Sequence, residues 1–121
     1  MDILIIDDSK AMRMIVRKTL RQAGLGEHDI REAGDGLEGL KAIEEKLPHL
    51  VLCDWNMPNM TGIQLLETLR ERDVKVTFGF VTSEGTVEMR QQAASAGAKF
   101  LIAKPFTPEA FQEALQPILG G

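Results

Sequence analysis

Chemically capable residues stand directly after several short apolar runs of this sequence. They are Asp7, Asp8, Asp54, Thr82, Ser83 and Lys104. Three carboxylates brought to one place repel each other unless one keeps a proton or a cation neutralises them. Carboxylate oxygens suit Mg²⁺, which binds through one or two carboxylates and keeps several of its water molecules. We therefore predict a magnesium site at Asp7, Asp8 and Asp54.

Asp54 is also a candidate nucleophile, because a carboxylate can attack phosphorus and form an aspartyl phosphate. The cation would neutralise charge on the moving phosphoryl group, and the Lys104 ammonium and the Thr82 hydroxyl can hold its oxygens. Each residue alone has an ordinary structural explanation, such as a helix cap for Asp8 or a turn for Lys104. Their joint placement after four predicted strands favours a site.

Five apolar runs alternate with longer amphipathic stretches along the chain. The runs predict strands over Ile3–Ile6, Ile30–Ala33, Leu50–Cys53, Val76–Val81 and Phe100–Ala103. Apolar residues at helical spacing predict helices over Lys10–Ala23, Leu37–Leu47, Ile63–Arg72, Thr86–Ala96 and Pro108–Leu119. This alternation predicts an α/β fold, a three-layer sandwich with helices on both faces of a parallel sheet. Sites of such sheets form beyond the carboxyl ends of the strands, where the candidate residues stand.

Local signals mark the ends of two predicted helices. Ser9 is predicted to cap the first helix, and Gly24 to stop it. Pro108 suits the first turn of the last helix, whereas Pro117 is predicted to end or kink its last turn.

Length and composition indicate a single globular domain over residues 1–121. The formal net charge is −4, and 44% of the residues are hydrophobic. An acidic balance argues against nucleic-acid binding, which needs a basic surface. No apolar run approaches the roughly 18 residues of a membrane helix. Because no signal peptide is recognisable either, we expect a cytoplasmic protein without a membrane partner. The last helix runs directly into Gly120-Gly121, so we expect no output domain.

Soft metal ligands are scarce in the sequence. The single cysteine, Cys53, lies in an apolar run and is expected to be an inert core thiol. His28 and His49 stand away from the ends of the predicted strands and are expected on the surface. No cluster of histidine or cysteine therefore competes with the magnesium interpretation.

Four motifs carry a resemblance to a known family. They are LIIDDS (Leu4–Ser9), LCDWNMPNMTG (Leu52–Gly62), FVTSEG (Phe80–Gly85) and AGAKFLIAKPFT (Ala96–Thr107). The sequence resembles, over its whole length, the receiver domains of bacterial two-component response regulators, most of all the single-domain chemotaxis type. The resemblance implies a doubly wound, flavodoxin-like (βα)5 fold with strand order 2-1-3-4-5. It also implies a signalling switch that is not an enzyme.

The resemblance implies a role for each candidate residue. Asp54 corresponds to the phosphoacceptor, Asp8 to the direct Mg²⁺ ligand and Asp7 to a ligand that acts through water. The backbone carbonyl of Asn56 corresponds to a further metal ligand. Thr82 corresponds to the switch hydroxyl that turns toward the phosphoryl group, and Lys104 to the lysine of the family's site.

Two polar positions bear on the lifetime of the phosphoryl group. In the family, the positions of Asn56 and Glu84 flank the path of the water that attacks it. Polar side chains there imply fairly fast self-dephosphorylation.

One position departs from the family pattern. Receivers usually place an aromatic residue three positions before the lysine as a rotating switch, and here that residue is Leu101. Phe100 is adjacent but faces the other side of the strand. Gly79, inside a predicted strand, indicates close approach of another group, for which Phe78 or Phe80 are the candidates.

The resemblance also implies partners. A sensor histidine kinase or a phosphotransfer protein would supply the phosphoryl group, and a downstream protein would bind the face of helix 4, strand 5 and helix 5. Receivers that dimerise to bind DNA carry complementary charges on this face. Here Ala98 and Lys99 precede strand 5, and the last helix has Glu109 and Glu113 but no Lys or Arg. We therefore expect a monomer with no nucleic-acid partner.

An enzyme is the first alternative that stays open, and a receiver-like scaffold or a flavin-binding module of the same fold is the second. A phosphohydrolase of the haloacid-dehalogenase type uses a similar set of residues, but its motif is Asp-x-Asp, whereas this chain has Asp54-Trp55-Asn56. A receiver-like scaffold that is never phosphorylated could lose its acidic pair or lysine, and this chain keeps both. A flavin-binding module would need a phosphate loop where Asp7 and Asp8 would repel phosphate.

Overall fold

The fold is a five-stranded parallel sheet between two layers of helices. The computed structural model describes residues 1–26, 28–103 and 106–119. The strands are β1 (Asp2–Ile6), β2 (Asp29–Ala33), β3 (Leu50–Cys53), β4 (Thr77–Thr82) and β5 (Phe100–Ala103). The helices are α1 (Lys10–Gln22), α2 (Gly36–Glu45), α3 (Gly62–Glu71), α4 (Val87–Ala96) and α5 (Pro108–Leu119). All neighbouring strands are parallel, in the order β2-β1-β3-β4-β5. The predicted fold class and strand order are confirmed.

The boundaries of the elements follow the local signals closely. Strands β3 and β5 and helix α5 coincide with the predicted ranges, and the other elements differ by one or two residues at an end. Ser9 caps α1 as predicted, its Oγ accepting the Met12 N–H at 3.2 Å. Gly24 lies just beyond the end of α1 with a φ of 84°, a backbone conformation that favours glycine.

Pro117 does not end α5, which continues to Leu119. Of the two predicted effects, a stop or a kink, the stop does not occur, because Pro117 lies in the last turn, where it removes only one backbone hydrogen bond. Phe111 and Leu115, both fully buried, hold the helix on the sheet.

The core is divided by the sheet into two clusters. Side chains of β1 show the division, because Leu4 and Ile6 pack on one face and Ile3 and Ile5 on the other. The first cluster lies under α2, α3 and α4, and the second under α1 and α5. Strand β3 is buried along its whole length, as expected for a strand covered on both faces.

The two faces of the sheet explain the glycine in β4. Gly79 pairs with Phe100 of β5, and a Cβ added at Gly79 would overlap the Phe100 ring. The residue that needs the space is therefore Phe100, and the expectation of Phe78 or Phe80 is wrong. The physical reason is alternation, since Phe78 and Phe80 point to the opposite face of the sheet from Phe100.

Three further residues were assigned from sequence to the core or the surface. Cys53 is fully buried, as predicted. His49 is exposed, although its Nδ1 accepts the Asp2 N–H at 2.9 Å. His28 is partly buried, so the expectation of a surface residue holds for His49 better than for His28. Within the described residues, no helix is both long enough and apolar enough to span a membrane.

Candidate functional site

The site lies at the carboxyl edge of the sheet, around the end of β3. The neighbours of β3 are β1 and β4, so Asp7 and Asp8 lie on one side of Asp54 and Thr82 on the other. The Asp54 N–H donates to the Ile6 carbonyl at 2.9 Å, which fixes the start of the loop against β1. Parallel pairing therefore brings together three strand ends that are far apart in sequence.

The three predicted carboxylates form one cluster. One oxygen of each of Asp7, Asp8 and Asp54 lies within 4.8 Å of the others. Asp7 is buried, Asp54 is half-buried and Asp8 is exposed, so the cluster is closed beneath and open to solvent at Asp8. In the part of the chain that the structure describes, this is the one group of three or more His, Cys, Asp or Glu side chains arranged to hold a metal.

Burial makes the ionised form of Asp7 costly. It raises the pKa of the Asp7 carboxyl, and the negative charge of Asp8 raises it further. The Ser9 N–H, which donates to Asp7 Oδ1 at 2.8 Å, and the nearby Arg13 act in the opposite direction on this pKa. A divalent cation among these oxygens would offset the repulsion. All-oxygen ligands with one open side fit Mg²⁺ well.

Arg13 supports the acidic pair from α1. Its Nη1 donates to the Asp7 carbonyl at 2.6 Å, and its Nε donates to Glu32 Oε1 at 2.8 Å. Arg17, one turn later, also donates to Glu32, from Nη2 at 2.7 Å. Sequence reasoning missed Arg13, because its contact to Glu32 depends on how α1 lies across β1 and β2, and the helical pattern marks it only as a polar residue.

The loop after Asp54 is fixed by several contacts. The Trp55 N–H donates to Asp54 Oδ1 at 2.8 Å, and the Gly62 N–H donates to the Trp55 carbonyl at 2.9 Å. A Cβ added at Gly62 would overlap the Asp54 carbonyl, so only glycine fits there. Asn59 ties the loop to the start of α2, its Nδ2 donating at 2.8 Å to Oδ2 of Asp35, the N-cap of that helix. The Asp54 carboxylate is therefore held by its own loop.

Thr82 closes the other side of the site. It is 1% exposed, and its Oγ1 accepts the Glu84 N–H at 3.4 Å. Glu84 and Asn56 are both exposed, on the loops that follow β4 and β3. Lys104, predicted to contact the phosphoryl group, and the adjacent Pro105 lie outside the described residues.

Cys53 and Leu101 lie near the site, one in the core and the other half-buried. Burial raises the pKa of the Cys53 thiol well above its usual range, and the charges of Asp54 and Asp7 add to this effect. Burial therefore favours the protonated form of the Cys53 thiol. Leu101 is half-buried and packs on the face of the sheet that carries α4, whereas Phe100 packs on the opposite face, as predicted.

The sequence is similar to those of known receiver proteins. The model of the response regulator receiver domain family matches residues 3–116. The chain is 38% identical over 120 residues to the probable chemotaxis protein CheY of Rhizobium etli, covering 98% of this chain and 92% of that protein. It is 37% identical over 123 residues to the chemotaxis protein CheY1 of Helicobacter pylori, covering 99% of this chain and 98% of that protein.

Solved structures of response regulators have the same fold as this chain. The chemotaxis protein CheY4 of Vibrio cholerae superposes with a TM-score of 0.83 at 31% identity, covering 98% of both chains. A DNA-binding response regulator of the LuxR family from Staphylococcus aureus shares the fold, with a TM-score of 0.84 at 23% identity and 96% coverage of both chains. The motifs, the strand order and these matches agree, and the chain belongs to the receiver domain family of two-component response regulators, in its CheY-like branch.

Proposed function

We propose that this protein takes up a phosphoryl group on Asp54, with Mg²⁺, and changes conformation to regulate a protein partner. The observation that carries the proposal is the cluster of Asp7, Asp8 and Asp54, whose oxygens approach within 4.8 Å in a receiver fold. Three neighbouring carboxylates repel each other, so such a cluster is costly unless a cation neutralises it. Groups perturbed in this way are typical of functional sites. The phosphoryl donor is a sensor histidine kinase or a phosphotransfer protein.

The transfer is a displacement at phosphorus. An Asp54 carboxylate oxygen forms a bond to phosphorus, and the phosphorus–nitrogen bond of the donor phosphohistidine breaks, leaving its electron pair on the imidazole. Mg²⁺, held by Asp8, Asp54 and the Asn56 carbonyl, with Asp7 acting through water, would neutralise charge on the phosphoryl oxygens. The Trp55 N–H bond to Asp54 Oδ1 orients the acceptor carboxylate.

Residues on the other side of the acceptor would respond to the phosphoryl group. The buried Thr82 hydroxyl turns toward it, and Lys104 supplies a positive charge to its oxygens. The exposed Asn56 and Glu84 admit or orient the water that later removes it, so bulky or cationic residues at Asn56 should lengthen the phosphoryl lifetime. Unchanged lifetimes of the radiolabelled protein across several replacements at both positions would refute this role.

The output surface is the face formed by α4, β5 and α5. It presents Arg90 and Lys99 beside Glu109 and Glu113, all exposed. The charges differ from those of receivers that dimerise through this face, because α5 has no Lys or Arg and Ala98-Lys99 replaces the acidic pair usual before β5. The protein thus acts as a monomeric switch that offers this face to a different protein, and it is not an enzyme with an external substrate. Its cytoplasmic location and its single-domain organisation are part of the same proposal.

Incubation with acetyl phosphate and Mg²⁺ tests the acceptor. Intact-mass measurement should show one added phosphoryl group that is labile to acid and base, and peptide mapping should place it on Asp54. Asp54→Asn should gain none, while Asp29→Asn, an exposed aspartate at the amino end of β2, should label like the unmodified protein.

Each other outcome has a defined meaning. Label on a Ser, Thr or His side chain, or full labelling of Asp54→Asn, would contradict the proposed acceptor. A folded protein that gains no phosphoryl group would favour the unphosphorylated scaffold. Sustained turnover of p-nitrophenyl phosphate would favour a phosphohydrolase.

A further inference from the structure

Arg90 connects the loop after Thr82 to strand β5. Its Nε donates to the Gly85 carbonyl at 3.3 Å, and its Nη1 donates to the Leu101 carbonyl at 3.1 Å. Gly85 belongs to the loop 83–86 between β4 and α4, and Leu101 stands at the position where the family usually has an aromatic switch. The guanidinium thus bridges the loop that follows Thr82 and strand β5.

The surroundings of Arg90 show that the bridge is its main interaction. Among the described residues, the ion pairs do not include Arg90, although it is exposed on α4. Gly85 lies close against β5, because a Cβ added there would come within 2.8 Å of the Ala103 Cβ and 3.3 Å of Leu101 Cδ2. Arg90 therefore holds a loop that is already packed on the strand, and it does so through two backbone carbonyls.

The same loop depends on the Thr82 hydroxyl. Thr82 Oγ1 accepts the Glu84 N–H, so rotation of the hydroxyl toward Asp54 would remove a bond inside the loop. The Gly85 carbonyl, one residue beyond Glu84, accepts from Arg90 Nε, so a rearrangement of this loop would act directly on that bond.

We propose that Arg90 is a latch that restrains the loop 83–86 against β5 in the unphosphorylated protein and opposes the phosphorylated conformation. The proposal rests on the function proposed above for Asp54 and Thr82. It supplies the coupling that Leu101, which lacks a ring to relocate, provides less strongly. An interaction made in one of two states shifts the equilibrium toward that state by its own free energy.

Arg90→Met tests the latch, because methionine keeps an unbranched apolar stem and loses every donor. With Mg²⁺ saturating, the variant should bind beryllofluoride, a stand-in for the phosphoryl group, about three- to tenfold more tightly, as expected for one or two hydrogen bonds lost from the free state only. Without beryllofluoride, amide exchange in the loop 83–86 should accelerate. Arg90→Lys keeps the charge but cannot span both carbonyls. Its beryllofluoride affinity and its rate of loop exchange should therefore lie between those of the unmodified protein and Arg90→Met.

Arg70→Met is the matched control. Arg70 donates from Nη1 to the Ser95 carbonyl at 2.9 Å, so it also makes a guanidinium–carbonyl bond to α4, but at the end away from the loop. It should leave beryllofluoride affinity and loop exchange unchanged.

The outcomes separate the latch from the function on which it rests. If the unmodified protein binds beryllofluoride and Arg90→Met binds it no more tightly, the latch is wrong while the proposed function stands. An equal gain for Arg70→Met would likewise overturn the latch, since any loosening of α4 would then suffice. If the unmodified protein does not bind beryllofluoride in the presence of Mg²⁺, the proposed function fails and the latch with it.

Discussion

Trp55 gives a direct measure of the proposed metal site. It is the only tryptophan of the chain and follows Asp54, and its ring lies 4.7 Å from that of Phe80, centroid to centroid. Addition of Mg²⁺ should change its fluorescence saturably, because charge beside the indole changes. Asp8→Ala should weaken the apparent Mg²⁺ affinity by about tenfold or more. Losing a contact that only supports a metal ligand already costs about tenfold, and losing a carboxylate that binds the metal directly should cost at least as much.

The control for this titration is a carboxylate outside the site. Glu113→Ala removes one negative charge from α5 and should leave the Mg²⁺ affinity almost unchanged, because exposed charges at a distance are screened. Emission that does not respond to Mg²⁺, together with a flat calorimetric titration, would show that the acidic cluster does not bind this ion.

Gly79 tests the packing between β4 and β5. Gly79→Ala places a methyl group into the Phe100 ring, and we expect a loss of about 1–3 kcal/mol in the free energy of unfolding, as for other overpacked cores. Urea denaturation measures it. The double variant Gly79→Ala/Phe100→Ala should lose less than the sum of the two single variants, because the overlap is gone. A Gly79→Ala protein as stable as the parent would contradict this account.

At the scale of the elements, α1 is attached to β2 through Glu32. Burial alone would raise the pKa of Glu32, but hydrogen bonds from Arg17 and Arg13 outweigh it and lower that pKa below its ordinary value. The ionised form is therefore favoured in the folded protein. Its stabilising effect is present above the ordinary glutamate pKa and is lost as the pH falls through the lowered value.

Glu32→Gln should reveal this pH dependence. We expect it to lower the free energy of unfolding by about 0.5–1 kcal/mol at neutral pH, because the pair is partly exposed and screened by solvent. The difference from the parent should shrink as the pH falls below 4.5, the ordinary value for glutamate. Urea denaturation at several pH values measures both quantities.

Glu44→Gln is the matched comparison. Glu44 pairs with Arg72 at 3.0 Å, but both side chains are about half exposed, at 52% and 50%. Its loss should cost less than the loss of Glu32, since only one exposed ion pair is broken. If the two variants lost the same free energy of unfolding at every pH, the contacts of Glu32 with α1 would stabilise the fold no more than an exposed ion pair.

The elements also show what a sequence can and cannot predict here. Strand ends are visible in the sequence, because an apolar run stops where the chain leaves the core, and this placed Asp7, Asp54 and Thr82 at one edge of the sheet. Contacts between elements are not visible in this way. The overlap of Gly79 with Phe100 follows from the register of β4 and β5, and the reach of Arg13 to the Asp7 carbonyl follows from the position of α1 on the sheet.

At the scale of the whole molecule, charge is unevenly distributed. Helix α1 carries Lys10, Arg13, Arg17, Lys18 and Arg21 and no acidic residue, in a chain with a formal net charge of −4. Helix α5 carries Glu109 and Glu113 and no basic residue. The acidic α5 forms part of the proposed output face, whereas Lys99 precedes β5 at its amino end.

This charge pattern predicts a monomer in both signalling states. Receivers that dimerise through the α4–β5–α5 face carry complementary acidic and basic residues there, whereas here α5 has no basic residue and Ala98-Lys99 replaces the acidic pair usual before β5. Sedimentation velocity should therefore give a single monomeric species with and without Mg²⁺ and beryllofluoride. NMR shifts caused by beryllofluoride should nevertheless extend from Asp54 to Leu101, because the loop 83–86 joins the site to β5.

Two charge reversals show whether the face mediates any association. Lys99→Glu changes the face beside β5, and Lys41→Glu makes the same change on exposed α2, away from it. Both variants should sediment as the parent does, because neither disrupts an interface. A beryllofluoride-dependent dimer that Lys99→Glu abolishes and Lys41→Glu preserves would contradict the prediction. Since Arg90 and Leu101 lie on the same face, such a dimer would also make self-association, and not a different protein, the consequence of releasing the loop.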